Sequence, residues 1–136
     1  MSGTPSQKDA AKVDEKLLLD WGARIGAAAY SERIASSQLE ELIASLDSVQ
    51  GREALLVTAA FAWRQAQRLK AGRTTARLVS QAMLELYEKG YKKEEARKML
   101  DFAKWVYAAV SEFRGFRGRP EQLTLESLLR QLAGGR

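Results

Sequence analysis

The amino-acid sequence predicts an all-α protein, a compact bundle of five to six helices in one domain. Apolar residues recur at spacings of three and four through most of the chain, and no segment shows the alternation typical of a strand. The two prolines, Pro5 and Pro120, lie near the ends, so the interior lacks the strongest helix breaker. A chain of 136 residues, 46% of them hydrophobic and 29% charged, is long enough to bury a core without disulfides.

Three segments are distinguished along the chain. Residues 1–8 are polar and are expected to form a disordered leader. Residues 9–119 hold the helical bundle, and residues 120–136 form a C-terminal helix that we expect to be weakly attached or to serve as an assembly element. The first helix is predicted over residues 9–30. Its apolar positions are Val13, Leu17, Trp21, Ile25 and Ala28.

The second predicted helix opens at Ser37, because Ser37 and Glu40 have the spacing of a capping box. Its apolar stripe is Leu39, Leu42, Ile43 and Leu46. The third helix is predicted over residues 52–71, with Gly72 as its C-terminal stop. Its apolar set is Leu55, Leu56, Ala59, Ala62, Trp63, Ala66 and Leu69.

The fourth helix is predicted over residues 74–89 and ends at Gly90. The fifth begins near Lys92, with Glu94 and Glu95 in the first turn, where the helix dipole favours carboxylates. Its apolar positions repeat with near-heptad regularity: Ala96, Met99, Leu100, Ala103, Val106, Tyr107, Val110 and Phe113. Residues 90–109 also resemble a helix-turn-helix motif, but the unbroken stripe favours one continuous helix. Thr124 is expected to cap a last short helix that contains Leu125, Leu128, Leu129 and Leu132.

The composition argues against an enzyme. The chain has no Cys and no His, which leaves no disulfide framework, no imidazole base and no ordinary zinc ligands. It also lacks a glycine-rich phosphate loop, and the adjacent pairs Glu40/Glu41 and Glu94/Glu95 would point about 100° apart on a helix. We therefore expect no catalytic residue, no metal and no cofactor.

The composition also bears on location. No apolar run approaches the ~18–20 residues of a membrane span, and the N-terminus lacks the apolar core of a secretory signal. We therefore expect a cytoplasmic protein with no membrane partner. The absence of Asn, together with many charged residues, suggests a thermophile.

The charges are divided unevenly along the chain. Residues 1–60 hold 6 basic and 9 acidic residues, a net charge of −3, and residues 61–136 hold 16 basic and 8 acidic residues, a net charge of +8. A basic half of this kind can meet a polyanion. The densest group, which we call the basic corner, lies where the third and fourth helices meet, beside the neutral donors of Gln65, Gln67, Thr74 and Thr75. The basic corner comprises Arg64, Arg68, Lys70, Arg73 and Arg77.

The basic corner has two interpretations. No acidic residue occurs between Glu53 and Glu85, which favours binding of phosphates by the arginine forks. The alternative is a solvated helix face whose arginines pair with Glu85 or Glu88.

A second basic signal is the segment 113–119, Phe-Arg-Gly-Phe-Arg-Gly-Arg. Rings and arginines interleaved with glycine suit single-stranded nucleic acid, because rings stack on bases and guanidinium groups hold phosphates. The candidate residues in this Gly/Arg loop are Arg114, Phe116, Arg117 and Arg119. The alternative is a structural role for both rings. For Phe113 we favour this alternative, with the ring at the end of the core stripe. For Phe116, which could instead plug the loop, both interpretations stay open.

Three segments, taken in order, resemble the small helical subunit of type III-A CRISPR effector complexes. They are IASSQLEEL (34–42), AFAWRQAQR (60–68) and MLDFAKWVYAAVSEFRG (99–115). The resemblance implies a non-catalytic subunit that stacks along a ribonucleoprotein filament and contacts guide–target RNA through basic faces. One position departs from the family pattern, because Glu40 stands where a basic residue usually follows the Ser-Gln-aliphatic triplet.

These observations together predict a non-catalytic structural subunit that binds nucleic acid, RNA in preference to DNA, through backbone and stacking contacts. Its partners would be RNA, other protein subunits of a ribonucleoprotein and, through self-association, further copies of the chain. Two alternatives stay open: a DNA-binding regulator from a virus or plasmid, and a protein-interaction adaptor that uses the acidic half or the leucine-rich tail, residues 123–132.

Overall fold

The computed structural model describes residues 12–113 and 115–134, and the predicted all-α fold class is confirmed for this part of the chain. It contains six α-helices, one short 3₁₀ helix and no strand. The α-helices are α1 (Glu15–Ser31), α2 (Ser36–Asp47), α3 (Glu53–Leu69), α4 (Arg73–Glu88), α5 (Lys93–Glu112) and α6 (Leu125–Ala133), with the 3₁₀ helix at Pro120–Gln122. The predicted leader, residues 1–8, lies outside the described residues.

The core lies between α1 and α5, which pack along each other over much of their length. Helices α3 and α4 form a hairpin, α4 also packs on α1, and α2 bridges α3 and α5. The largest buried side chains of these five helices include Leu18, Ile25, Leu42, Leu55, Met83 and Met99. A second, smaller cluster joins α1 and α5 to the C-terminal segment: Ala23, Ala27, Val106, Val110, Leu123 and Leu128.

Two helix starts differ from the sequence prediction. Helix α1 begins at Glu15 rather than at residue 9, because the side chain of Asp14 caps it by accepting from Leu17 N at 3.3 Å. Helix α2 begins at Ser36 with Ala35 as N-cap and no side-chain cap, so the predicted capping box of Ser37 and Glu40 is wrong. The reason is the preceding turn. There Arg33 adopts the left-handed conformation (φ 60°), and the backbone N–H of buried Ile34 donates to Ala29 O at 2.9 Å.

The α3–α4 turn also differs. Helix α3 ends at Leu69, because Lys70 adopts the left-handed conformation (φ 56°) and Ala71 N bonds back to Ala66 O at 3.3 Å. Gly72 (φ 90°) is therefore the N-cap residue of α4 and not the stop of α3. The predicted stop at Gly90 is confirmed, since Gly90 has a φ of 81° and Tyr91 N bonds Leu86 O at 2.9 Å.

The predicted continuity of the fifth helix and the predicted cap of the last helix are confirmed. Helix α5 is continuous through Leu100 and Asp101, and Glu95 accepts from Lys92 N at 2.8 Å in its first turn. Thr124 caps α6 by accepting from Ser127 N at 3.0 Å.

The C-terminal segment is held against α1 by apolar and polar contacts. Leu123 and Leu128 are buried in the second cluster. Arg24 Nε donates to Leu123 O at 2.8 Å, and the buried Asp20 accepts from Leu125 N at 2.9 Å. Use of this segment for assembly stays a prediction.

Candidate nucleic-acid interface

The α3–α4 hairpin places the five cations of the basic corner around one end of the helix pair. Arg64, Lys70 and Arg73 are exposed, and none of them forms an ion pair within residues 12–113 and 115–134. Lys70 stands at the tip of the turn in its left-handed conformation. These three side chains keep their charges available to a ligand in solution.

The other two arginines of the corner meet carboxylates that are distant in sequence. Arg68 lies 3.7 Å from Glu41 of α2, and Arg77 lies 3.4 Å from Glu121 of the 3₁₀ helix. The alternative partner Glu85 instead accepts from Trp21 Nε1 at 2.9 Å and lies 3.9 Å from Lys89. Because the side chains of these pairs keep about a third or more of their surface exposed, each pair contributes only ~0–1 kcal/mol to stability.

The N-terminus of α4 is occupied by a carboxylate of the chain itself. Glu32 accepts from Thr74 N at 2.9 Å, from Thr75 N at 2.8 Å and from Thr75 Oγ1 at 2.6 Å. It thereby satisfies backbone donors that the first turn of a helix leaves free. Buried Gln65 is likewise used internally, since Nε2 donates to Gln38 O at 3.1 Å. A phosphate at this corner would therefore meet arginine and lysine side chains rather than the free end of α4.

Glu121 joins the basic corner to the Gly/Arg loop. Its Oε2 lies 3.4 Å from Arg77 and 3.9 Å from Arg119, so two cations separated widely in sequence share one carboxylate. A hollow of about 270 Å³ lies beside this contact and is lined in part by Ser31, Thr74 and Arg119. We call the combined set the basic surface: Arg64, Arg68, Lys70, Arg73, Arg77 and Arg119.

Of the two phenylalanines in this segment, Phe116 is the more buried and Phe113 the more exposed, which is the reverse of the expectation. Phe116 packs half-buried against the second core cluster, which favours its role as a plug. Phe113 is 68% exposed, so the preference for placing it in the core is wrong. Val110 is the last buried residue of the stripe, and Phe113 follows as the C-cap residue with φ −105°.

Arg117 lies against α6 through its main chain. The main chain of Arg117 is held on α6, with its N–H donating to Gln131 Oε1 at 2.6 Å and its carbonyl accepting from Gln131 Nε2 at 3.1 Å. The Arg117 residue is exposed. Arg114 lies outside the described residues.

Two tryptophans are exposed. Trp63, which the spacing places in the apolar set of the third helix, is 44% exposed, and Trp105 on α5 is 67% exposed. The spacing wrongly predicts a buried ring because Trp63 has one neighbour on each side of the stripe's boundary. Ala59, four residues before it, is half-buried, whereas Ala60, three residues before it, is exposed. Trp63 therefore lies at the edge of the stripe.

The chain matches no protein-family model, no curated protein and no solved structure. Within residues 12–113 and 115–134, no three acidic side chains come together in a way that could hold a metal ion. None of the helices described above has both the length and the apolar surface needed to cross a bilayer.

Proposed function

We propose that this protein is a non-catalytic RNA-binding subunit that holds the ribose–phosphate backbone on its basic surface. The observation that carries the proposal is the meeting of Arg77 and Arg119 at Glu121, which unites two basic segments in one surface. Arginine suits this role, because its planar fork can bond phosphate oxygens in pairs. Contacts to the backbone alone position a strand without reading its sequence.

The finer proposal is a place in a CRISPR effector complex in the cytoplasm, with guide–target RNA and other protein subunits as partners. It draws on the resemblance of three segments, which begin before the start of α2, in the middle of α3 and at Met99 of α5. A CRISPR cassette beside the gene would support it.

Fluorescence polarisation with labelled RNA strands of two unrelated sequences tests the proposed function. Replacing Arg64 and Arg73 together with alanine removes two cations that have no described ion-pair partner. We expect binding to both strands to weaken by about 100-fold or more, since hydrogen bonds to charged groups contribute ~1.5–3 kcal/mol each and every ~1.4 kcal/mol is a factor of ten. Unchanged affinity would remove this corner from the interface, and tighter binding to duplex DNA than to RNA would favour the DNA-binding alternative.

The matched control replaces Arg97 and Lys98 with alanine. Arg97 pairs with Asp47, and Lys98 pairs with Glu15, the first residue of α1. Glu32, which caps α4 at the basic corner, follows the other end of α1. The helix between them spans about 25 Å at ~1.5 Å per residue. The control variant therefore has the same net charge but an intact basic surface, and its affinity for RNA should stay near that of the parent.

A second candidate function, a protein-interaction adaptor that self-associates, is favoured by a groove between α1 and α6. The groove has a volume of about 460 Å³, and its apolar lining includes Leu19, Leu125 and Leu129, the last 50% exposed. Its rims carry the ion pairs Lys16–Asp20 (2.8 Å) and Glu126–Arg130 (2.7 Å). The hydrogen bond to Asp20 is the main cause of the raised pKa of Lys16.

Light scattering tests the adaptor function. If two copies meet through this groove, the parent will have the mass of a dimer and the variant Leu129→Glu the mass of a monomer. A monomeric parent at high concentration would contradict self-association.

A further inference from the structure

The indole ring of Trp63 is exposed to solvent on the outer face of α3. The side chain is 44% exposed, although burial of an indole is among the largest apolar gains a side chain can make. Helical side chains lean over the preceding turn, and the positions three and four residues before Trp63 are Ala60 and Ala59. No large side chain of that turn can therefore cover the ring.

The charges along α3 favour a polyanion beside this ring. From Ala54 to Leu69 the helix has no acidic residue. Arg64 follows Trp63 directly and forms no ion pair within the described residues. Lys70, seven residues and thus about two turns on, stands at the exposed tip of the hairpin.

The other two exposed aromatic rings of the described residues each have both an acid and a cation close in sequence. Trp105 has Asp101 four residues before it, on the same face of α5. Phe113 directly follows Glu112. A phosphate chain that passed either of these rings would meet a carboxylate as well as a cation, whereas α3 carries cations and no acid over residues 54–69.

We propose that Trp63 stacks on an unpaired base of the RNA that the basic surface holds, so that the RNA is single-stranded where it passes Trp63. The inference rests on the proposed function and adds the class of ligand to it. In a duplex each base is stacked on both faces, and the indole cannot reach it, whereas a single strand offers a free face. Stacking tolerates every sequence, because each base has a π-face.

The test compares two ligands of equal charge, a 12-nucleotide oligouridine and an abasic ribose–phosphate strand of the same length. Trp63→Ala should weaken binding of oligouridine by about fivefold to 150-fold, the range that ~1–3 kcal/mol per stacked base gives. Binding of the abasic strand should not change. Trp63→Phe, which keeps a ring, should lose less affinity than Trp63→Ala.

Trp105→Ala is the matched control, since it removes a more exposed indole from α5, a helix that contributes no residue to the basic surface, and it should bind both strands as the parent does. Fluorescence gives a second readout: oligouridine should quench the parent and should quench Trp63→Phe much less. If Trp63→Ala fails to fold, the comparison of quenching between the parent and Trp63→Phe still tests the proposed stacking.

The outcomes separate the two proposals. If the parent binds oligouridine but Trp63→Ala binds it equally well, or loses the abasic strand to the same extent, stacking is overturned while backbone binding stands. Equal quenching of the parent and Trp63→Phe overturns stacking as well. If the parent binds neither strand, the proposed function falls and this inference falls with it.

Discussion

A Cβ atom placed on Gly26 of α1 would stand 2.5 Å from the carbonyl oxygen of Ala103 in α5, closer than real Cβ contacts come. One turn earlier, a Cβ on Gly22 would stand 2.8 Å from Phe102 Cβ and 3.0 Å from Met99 O. The two glycines share a face of α1. The central helix pair therefore approaches backbone to backbone along a strip where only hydrogen fits.

The first prediction concerns Gly26→Ala. Helix propensity alone would favour alanine by ~1 kcal/mol, but the added methyl group meets a backbone oxygen that cannot rotate away. We expect a net decrease of ~1–3 kcal/mol in the free energy of unfolding, measured by chemical denaturation. Ser111→Ala on the exposed face of α5 is the control and should be neutral or slightly stabilising. A Gly26→Ala protein more stable than the parent would contradict the close approach.

The second prediction compares two neighbours on α6. Leu128 is 1% exposed and Leu129 is 50% exposed. Leu128→Ala should lower the free energy of unfolding by ~2–5 kcal/mol, because it leaves a cavity in the second core cluster. Leu129→Ala should lower it by less than ~1 kcal/mol. Equal and small decreases would show that α6 is only weakly attached, as the sequence suggests.

The third prediction concerns Glu32 at the start of α4. Glu32→Ala should lower the free energy of unfolding by ~1–3 kcal/mol, because donors of Thr74 and Thr75 lose their acceptor. The same change removes a negative charge that is bonded to Thr74 N, at the start of the helix that carries Arg73 and Arg77, so affinity for RNA should rise. Thermal melting and polarisation on the one variant measure the two effects, and a fall in RNA affinity in a folded variant would contradict the expected electrostatics.

The fourth prediction concerns Glu121, which neutralises part of the basic surface. Glu121→Gln should release Arg77 and Arg119 and raise RNA affinity severalfold, while stability changes by less than ~1 kcal/mol. Glu126→Gln makes the same charge change in a pair on α6, with Arg130 at 2.7 Å, and should affect RNA binding less. Equal effects of the two variants would mean that only net charge matters.

The helices of this fold could be predicted from sequence because each carries a local 3.6-residue pattern. The C-terminal ends of the helices could not all be predicted. At the end of α3 the left-handed position is taken by Lys70, which is not a glycine, and Gly72 is instead the N-cap residue of α4. Trp63 and Phe113 were misplaced because spacing identifies a stripe but not where its edge or its end meets solvent.

The candidate interface was predictable only in part. Clustering of the cations within 64–77 follows from helix geometry and was visible in the sequence. The carboxylates at this corner were not: Glu41 and Glu121, which pair with Arg68 and Arg77, and Glu32, which caps α4, come from other helices and turns. For the same reason, the union of the basic corner with the Gly/Arg loop could be seen only in three dimensions.

The salt dependence of RNA affinity tests most directly whether the basic surface binds phosphates. For a single strand, the slope of log K against log salt concentration falls in magnitude by about 0.7 for each phosphate that the protein no longer neutralises. We predict that Arg64→Ala/Arg73→Ala lowers the magnitude of the parent's slope by about 1.4, and that Arg97→Ala/Lys98→Ala leaves it unchanged. Identical slopes for all three proteins would contradict the assignment of the basic surface as the phosphate-binding site.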